Sequence, residues 1–169
     1  LISRGLWSQY LEVGIGPDPE IFTKCQPMSS VGPGSNIGIL EKSVWNNPEP
    51  EIAIVVSSKG RIIGASLAND VNLRDFEGRS ALLLSKAKDN NASTSLGPFI
   101  RFFNREFTID SVRECEIGLR VHGLDRFELT GISSMSKISR DPEELVKATL
   151  NQNHQYPDRY KAQKLIDQE

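Results

Sequence analysis

Apolar and polar residues follow different patterns in different parts of the chain. Residues 1–47 carry short apolar pieces interrupted by Pro17, Pro19, Pro27, Pro33, Gly14, Gly16, Gly32, Gly34 and Gly38. Proline removes a backbone donor and glycine loosens the chain, so this density predicts loops and short strands. The best strand signal is 51–56, followed by a turn at Ser57-Ser58-Lys59-Gly60 and a return strand over 61–67. Together these read as a hairpin. A helix or turn-rich connection is expected over 80–88 and a short strand over 99–103. Strands over 114–122 and 126–132, joined at Gly123-Leu124-Asp125, form a second hairpin. A helix over 142–152 is well marked: Asp141 can cap it, Pro142 suits its first position, and Glu143 and Glu144 favour its positive end. The charged stretch 158–169 is compatible with a further helix. The fold class is mostly β, of α+β type.

Composition narrows this picture. The chain has 169 residues, the length of one ordinary domain, and 38% hydrophobic with 25% charged residues argues against disorder. Its longest purely apolar run is five residues, 52–56, against about 20 for a membrane helix, so no membrane association is expected. A net charge of −2 lacks the basic footprint of a nucleic-acid binder. Cys25 and Cys115 make neither a disulfide framework nor a CxxC zinc pair. Residues 1–7 do not read as a signal peptide. The expected setting is therefore reducing and cytoplasmic, and the Asn91-Ala92-Ser93 glycosylation triplet reads as coincidence.

The chemistry is concentrated in Asn47-Pro48-Glu49-Pro50-Glu51. A residue before proline is driven into extended geometry, and in an extended chain positions i and i+2 share a face. Glu49 and Glu51 therefore project side by side, which raises both carboxyl pKa values unless a cation intervenes. A hairpin turn centred on Ser58–Lys59 would place Glu51 opposite Ser66 and Glu49 opposite Ala68, with Asp70 one step beyond. Three carboxylates with room for water suit Mg²⁺ or Mn²⁺ better than zinc. Read by spacing alone, the same residues also fit an exposed acidic strand edge.

At these positions the chain resembles the fumarylacetoacetate hydrolase family, whose hallmark is a Glu-x-Glu pair followed about twenty residues later by an aspartate. Here these are Glu49, Glu51 and Asp70, the last within Asn69-Asp70-Val71-Asn72-Leu73-Arg74-Asp75. The likeness extends through Glu20-Ile21-Phe22-Thr23-Lys24, Gly78-Arg79-Ser80, Lys86-Ala87-Lys88-Asp89 and Gly97-Pro98, over roughly 10–157. Its spacing is similar to that of the branch containing 2-keto-3-deoxy-pentonate dehydratases. The resemblance implies a mixed β-roll or β-sandwich, commonly homodimeric. It implies an ion that chelates the carboxylate and 2-keto oxygens of a 2-oxo acid and acidifies the C3 protons by stabilising an enolate. Lys88 falls at the family's active-site lysine and would be the base, its ammonium form disfavoured by a neighbouring ion. Glu20 would protonate the leaving hydroxyl, and Arg74, Lys24 and Asn69 would bind substrate.

Without the resemblance, Lys86 and Lys88 would be solvated lysines, Glu20 a turn residue, and Arg74 with Asp75 and Glu77 an exposed ion-pair cluster. No histidine precedes His122, which leans away from the His–Glu water activation of the family's carbon–carbon hydrolases and toward dehydration. A hydrolase or decarboxylase acting on an acylpyruvate-like 2-oxo acid is the alternative, and a non-catalytic partial member is a third reading. After His154-Gln155-Tyr156-Pro157-Asp158 the chain departs from the family pattern into a polar stretch. The expected organisation is thus a partial catalytic domain over 1–157, shortened at both ends, with a divergent tail over 158–169.

Overall fold

The computed structural model describes residues 8–152; the tail over 158–169 and His154 lie outside the described residues. Five α-helices are present among them: α1 (Ser8–Ile15), α2 (Arg74–Glu77), α3 (Leu84–Lys88), α4 (Ile109–Arg113) and α5 (Pro142–Gln152). The strands are β1 (Asn46–Asn47), β2 (Pro50–Val56), β3 (Ile62–Asp70), β4 (Asn72–Leu73), β5 (Thr94–Leu96), β6 (Arg101–Phe102), β7 (Glu116–His122) and β8 (Glu128–Ser134). The expected α+β class, rich in sheet, is what forms.

The central sheet runs β2-β3-β5 with β6 also on β3, all antiparallel. β1 pairs with β4, and β7 with β8. Both expected hairpins form, with a corrected register in the first. Glu51 lies opposite Ala68, not Ser66, because the turn is wider than a centre at Ser58–Lys59 implies and a bulge at Val55/Val56 shifts the pairing. Gly60, at φ +73°, and the Ser57–Arg61 backbone bond close that turn. A shift of two residues keeps every side chain on its face, where a shift of one would have reversed them all. It also brings Asp70 level with Glu49, whose carbonyl accepts the Asp70 N–H at 3.0 Å.

α5 begins as expected: Asp141 accepts the Glu143 N–H at 2.8 Å and binds the Arg113 guanidinium. Two expectations need correction, over the N-terminal stretch and over 99–103. The glycine- and proline-rich N-terminal stretch contains α1, whose terminal carbonyls at Val13 and Gly16 are taken by Arg140 at 2.9 and 2.7 Å. A guanidinium from elsewhere in the fold thus satisfies a helix end that local composition did not favour. The 80–88 connection divides into a 3₁₀ turn, Ala81–Leu83, and the short α3. Of the expected 99–103 strand, only Arg101–Phe102 pairs as β6.

The core is small and sits beside the carboxylates. Leu73, Phe76 and Ala87 are buried together with Leu40 packed on them. This cluster joins β4, α2 and α3 and fixes the backbone just before Lys88. A second apolar space of about 680 Å³ lies between β2, β7–β8 and α5, lined by Ile54, Ile117, Ile138, Leu145 and Leu150, with Lys24 and Glu51 at its margin.

Candidate metal centre

Glu49, Glu51 and Asp70 each offer a carboxylate oxygen, and these oxygens lie within 4.8 Å of one another. The two glutamates come from the extended Pro-rich entry to β2, and the aspartate from the end of β3. Asp70 is completely buried. One of its oxygens, Oδ2, accepts from Lys24 Nζ at 2.7 Å and from Lys88 Nζ at 2.9 Å. The other, Oδ1, is buried with no hydrogen-bond partner. Lys24 also binds Glu51 Oε1 at 2.5 Å, and Lys88 binds Glu49 Oε2.

The buried carboxylate oxygen without a donor is the observation that tests the fit to a cation. Leaving such a group unpaired costs more than an ordinary hydrogen bond returns, so it fits an acceptor shaped for a ligand. The donor set is all oxygen, as hard divalent cations require. The triad read from the sequence is therefore assembled in space.

Lys88 is 3% exposed, so the default of a solvated lysine is corrected. α3 ends there, and the Lys88 carbonyl accepts Ser93 Oγ at 2.7 Å while Val71 N–H bonds the Ser93 carbonyl, which clips the helix end to the strands. Burial disfavours its ammonium, but the hydrogen bonds and charges of Asp70 and Glu49 outweigh burial and raise its pKa above the ordinary lysine value. The expectation of a depressed lysine rests on an ion's charge; the side chains alone act in the opposite direction. Burying such pairs costs desolvation comparable to the attraction gained. They contribute little net stability, and their presence in one cluster points to chemistry.

Arg74 is bonded to Glu77 at 2.6 Å, as the ion-pair reading expects. Asn69, paired with Pro50 and Ser95 in the sheet, has a buried, unpartnered side-chain oxygen. Glu20 lies exposed on the coil that leads to Lys24 and contributes no contact to the cluster. Lys86 is exposed, with its ammonium 5.4 Å from the Phe76 ring centre. His122 is exposed beside Glu128 on the second hairpin, and Cys25 and Cys115 are free thiols.

Sequence reasoning misses Asn72, which is fully buried and donates to both Glu49, at 2.9 Å, and Glu77, at 2.7 Å. Its position two residues after Asp70 is the available signal. With it, an unbroken chain runs Arg74–Glu77–Asn72–Glu49–Lys88–Asp70–Lys24–Glu51. Its four carboxylates and three cations leave one net negative charge, which a divalent ion would reverse. No helix among the described residues is long and apolar enough to cross a membrane.

No family model matches the chain. Two curated relatives do. It is 32% identical over 138 residues to 2-dehydro-3-deoxy-D-arabinonate dehydratase of Saccharolobus solfataricus, covering 80% of this chain and 44% of that one. It is 31% identical over 144 residues to a probable 2-keto-3-deoxyxylonate dehydratase of Haloferax volcanii, covering 85% and 48%. A solved 2-keto-3-deoxy-D-arabinonate dehydratase, complexed with magnesium and 2,5-dioxopentanoate, superposes with a TM-score of 0.79 at 31% identity, over 86% of this chain and 50% of that one. The chain thus spans about half the length of the relatives it matches. With the Glu-x-Glu and aspartate cluster assembled on this sheet, the chain has the fold of the fumarylacetoacetate hydrolase type and is similar to the 2-keto-3-deoxy-pentonate dehydratases over about half their length.

Proposed function

We propose that this chain carries the metal-binding part of a hydro-lyase that dehydrates a 2-keto-3-deoxy sugar acid. The observation that supports it most is the buried Asp70, with one carboxylate oxygen on two lysines and the other unpaired, beside Glu49 and Glu51. Those three residues would hold Mg²⁺, with Mn²⁺ the alternative. When bound, the ion supplies Lewis-acid polarisation of the 2-oxo group and makes the neighbouring C–H more acidic.

The rest falls to side chains. Lys88 is the base for the C3 proton, and its ammonium must first lose a proton to serve. Glu20 is the acid for the departing hydroxyl. Arg74, Lys24 and Asn69 orient the anionic substrate, the two cations through its carboxylate. A cytoplasmic homodimer completes the reading. The Lys88 ammonium, held by Glu49 and Asp70, favours a second possibility, a protein that binds the ion without turnover.

The deciding experiment has two stages. Thermal unfolding is followed with and without millimolar Mg²⁺ for the wild type and Glu51→Gln; a ligand that binds only the folded state must raise its stability. A rise confined to the wild type is expected, and its absence would remove the metal reading. Water loss from 2-keto-3-deoxy-pentonates is then followed by NMR with Mg²⁺, in the wild type and Lys88→Ala. Ion binding without turnover would leave the non-catalytic reading; turnover in Lys88→Ala would sink that lysine as base.

A further inference from the structure

We propose that Asn72 is a positioning residue for Glu49, and that through Glu77 it ties the metal-binding carboxylates to Arg74. This rests on the reading of Glu49, Glu51 and Asp70 as an ion site.

Asn72 has no exposed surface. A primary amide has two N–H donors and one carbonyl acceptor. Here the amide nitrogen faces two carboxylates, Glu49 Oε1 at 2.9 Å and Glu77 Oε2 at 2.7 Å. The opposite orientation would point a carbonyl oxygen at both acids, so the charges alone dictate which end faces them. Its own oxygen is buried without a donor. An asparagine kept only to satisfy the core would pair that oxygen; this one commits its bonds to the acids and leaves the oxygen unpaired, at a cost in stability.

Glu49 gains a defined orientation from this. Its Oε2 accepts from Lys88 and its Oε1 from Asn72, although its side chain is 32% exposed and would otherwise rotate freely. Asn72 is itself held by its strand: it pairs with Asn47 in β1, and the adjacent Leu73 is wholly buried. Glu77 Oε2 accepts from both Asn72 and Arg74 Nη1, so removing Asn72 separates the Arg74–Glu77 pair from the carboxylates. Groups that hydrogen-bond to metal ligands set ligand geometry, and their loss typically weakens metal affinity by about 10- to 100-fold.

The test is a calorimetric Mn²⁺ titration of the wild type, Asn72→Ala, Glu77→Ala and the double variant, with unfolding in ion-free buffer measured alongside. Asn72→Ala should unfold cooperatively and bind Mn²⁺ about 10- to 100-fold more weakly. Glu77→Ala should weaken binding several-fold, and the double variant by less than the product of the two, because both act through one bonded path. Wild-type affinity in a folded Asn72→Ala overturns the proposal, whatever its unfolding midpoint. Should Asn72→Ala fail to fold, Glu77→Ala decides: unchanged affinity there overturns it. A wild type with no Mn²⁺ binding removes the ion site itself and the proposal with it, an outcome distinct from tight binding that ignores Asn72.

Discussion

The hairpins β2–β3 and β7–β8 have the same number of paired positions, seven each, yet only the first carries charged groups out of water. β3 has further partners in β5 and β6, and the end of β3 meets Glu49 on one side and Thr94 on the other. Asp70 is consequently wholly buried. The second hairpin is a two-stranded sheet, and Leu129 and Ile132 on it remain 50% and 78% exposed. Two strands cannot shield both of their faces. Pairing alone, then, does not make a site; flanking strands and a core beneath them are needed to lower the local dielectric.

The comparison can be broken most forcefully at Asp70. Asp70→Ala leaves Lys88 buried with only Glu49 for a partner, and stranding a buried charge costs about 3–5 kcal/mol. Urea unfolding in ion-free buffer should show a loss of that order; a loss below about 1 kcal/mol would mean the cluster is far wetter than its burial implies.

A smaller effect, confined to acid, is expected at the base of the second hairpin. Hydrogen bonds from Arg113 hold the Asp141 carboxyl below the usual 3.8. A carboxyl depressed on folding contributes stability that is fully present above the unfolded value and disappears as pH falls through the folded one. Wild-type stability should therefore drop as pH falls below about 3.8, and part of that drop should vanish in Asp141→Asn. Parallel pH profiles for the two proteins would exclude this contribution. The least change is expected from Ile132→Ser, within about 0.5 kcal/mol, since an exposed side chain loses little burial. A larger loss in urea would show that the exposed face of β8 is covered in solution.

Much of the site is legible in the amino-acid sequence. Pro48 and Pro50 force the extended geometry that sets Glu49 and Glu51 on one face, and the apolar run after them specifies the strand that holds them. Asp70 is legible through the hairpin, although a turn centred on Ser58–Lys59 is two residues out of register; the difference is harmless because it conserves strand parity. Asn72 escapes such reasoning because buried asparagines carry no periodic signal. α1 escapes it because Gly14 and the following Gly16-Pro17 oppose a helix locally, and the Arg140 guanidinium that ends it is supplied by a distant segment.

The sequence by itself determined the elements whose causes are local: proline-driven extension, the apolar run of β2, a turn at Gly60, and the Asp141-Pro142 start of α5. Only the tertiary structure decided that Lys88 would be buried, that Asp70 would lie between it and Lys24, and that Asn72 would join two acids. Lys24 and Asp70 are 46 residues apart, and Lys88 and Glu49 are 39 apart. Local periodicity reports which face a side chain occupies. The dielectric around that side chain depends on which distant segments close over it, and here that closure turns a charged strand edge into a candidate metal centre.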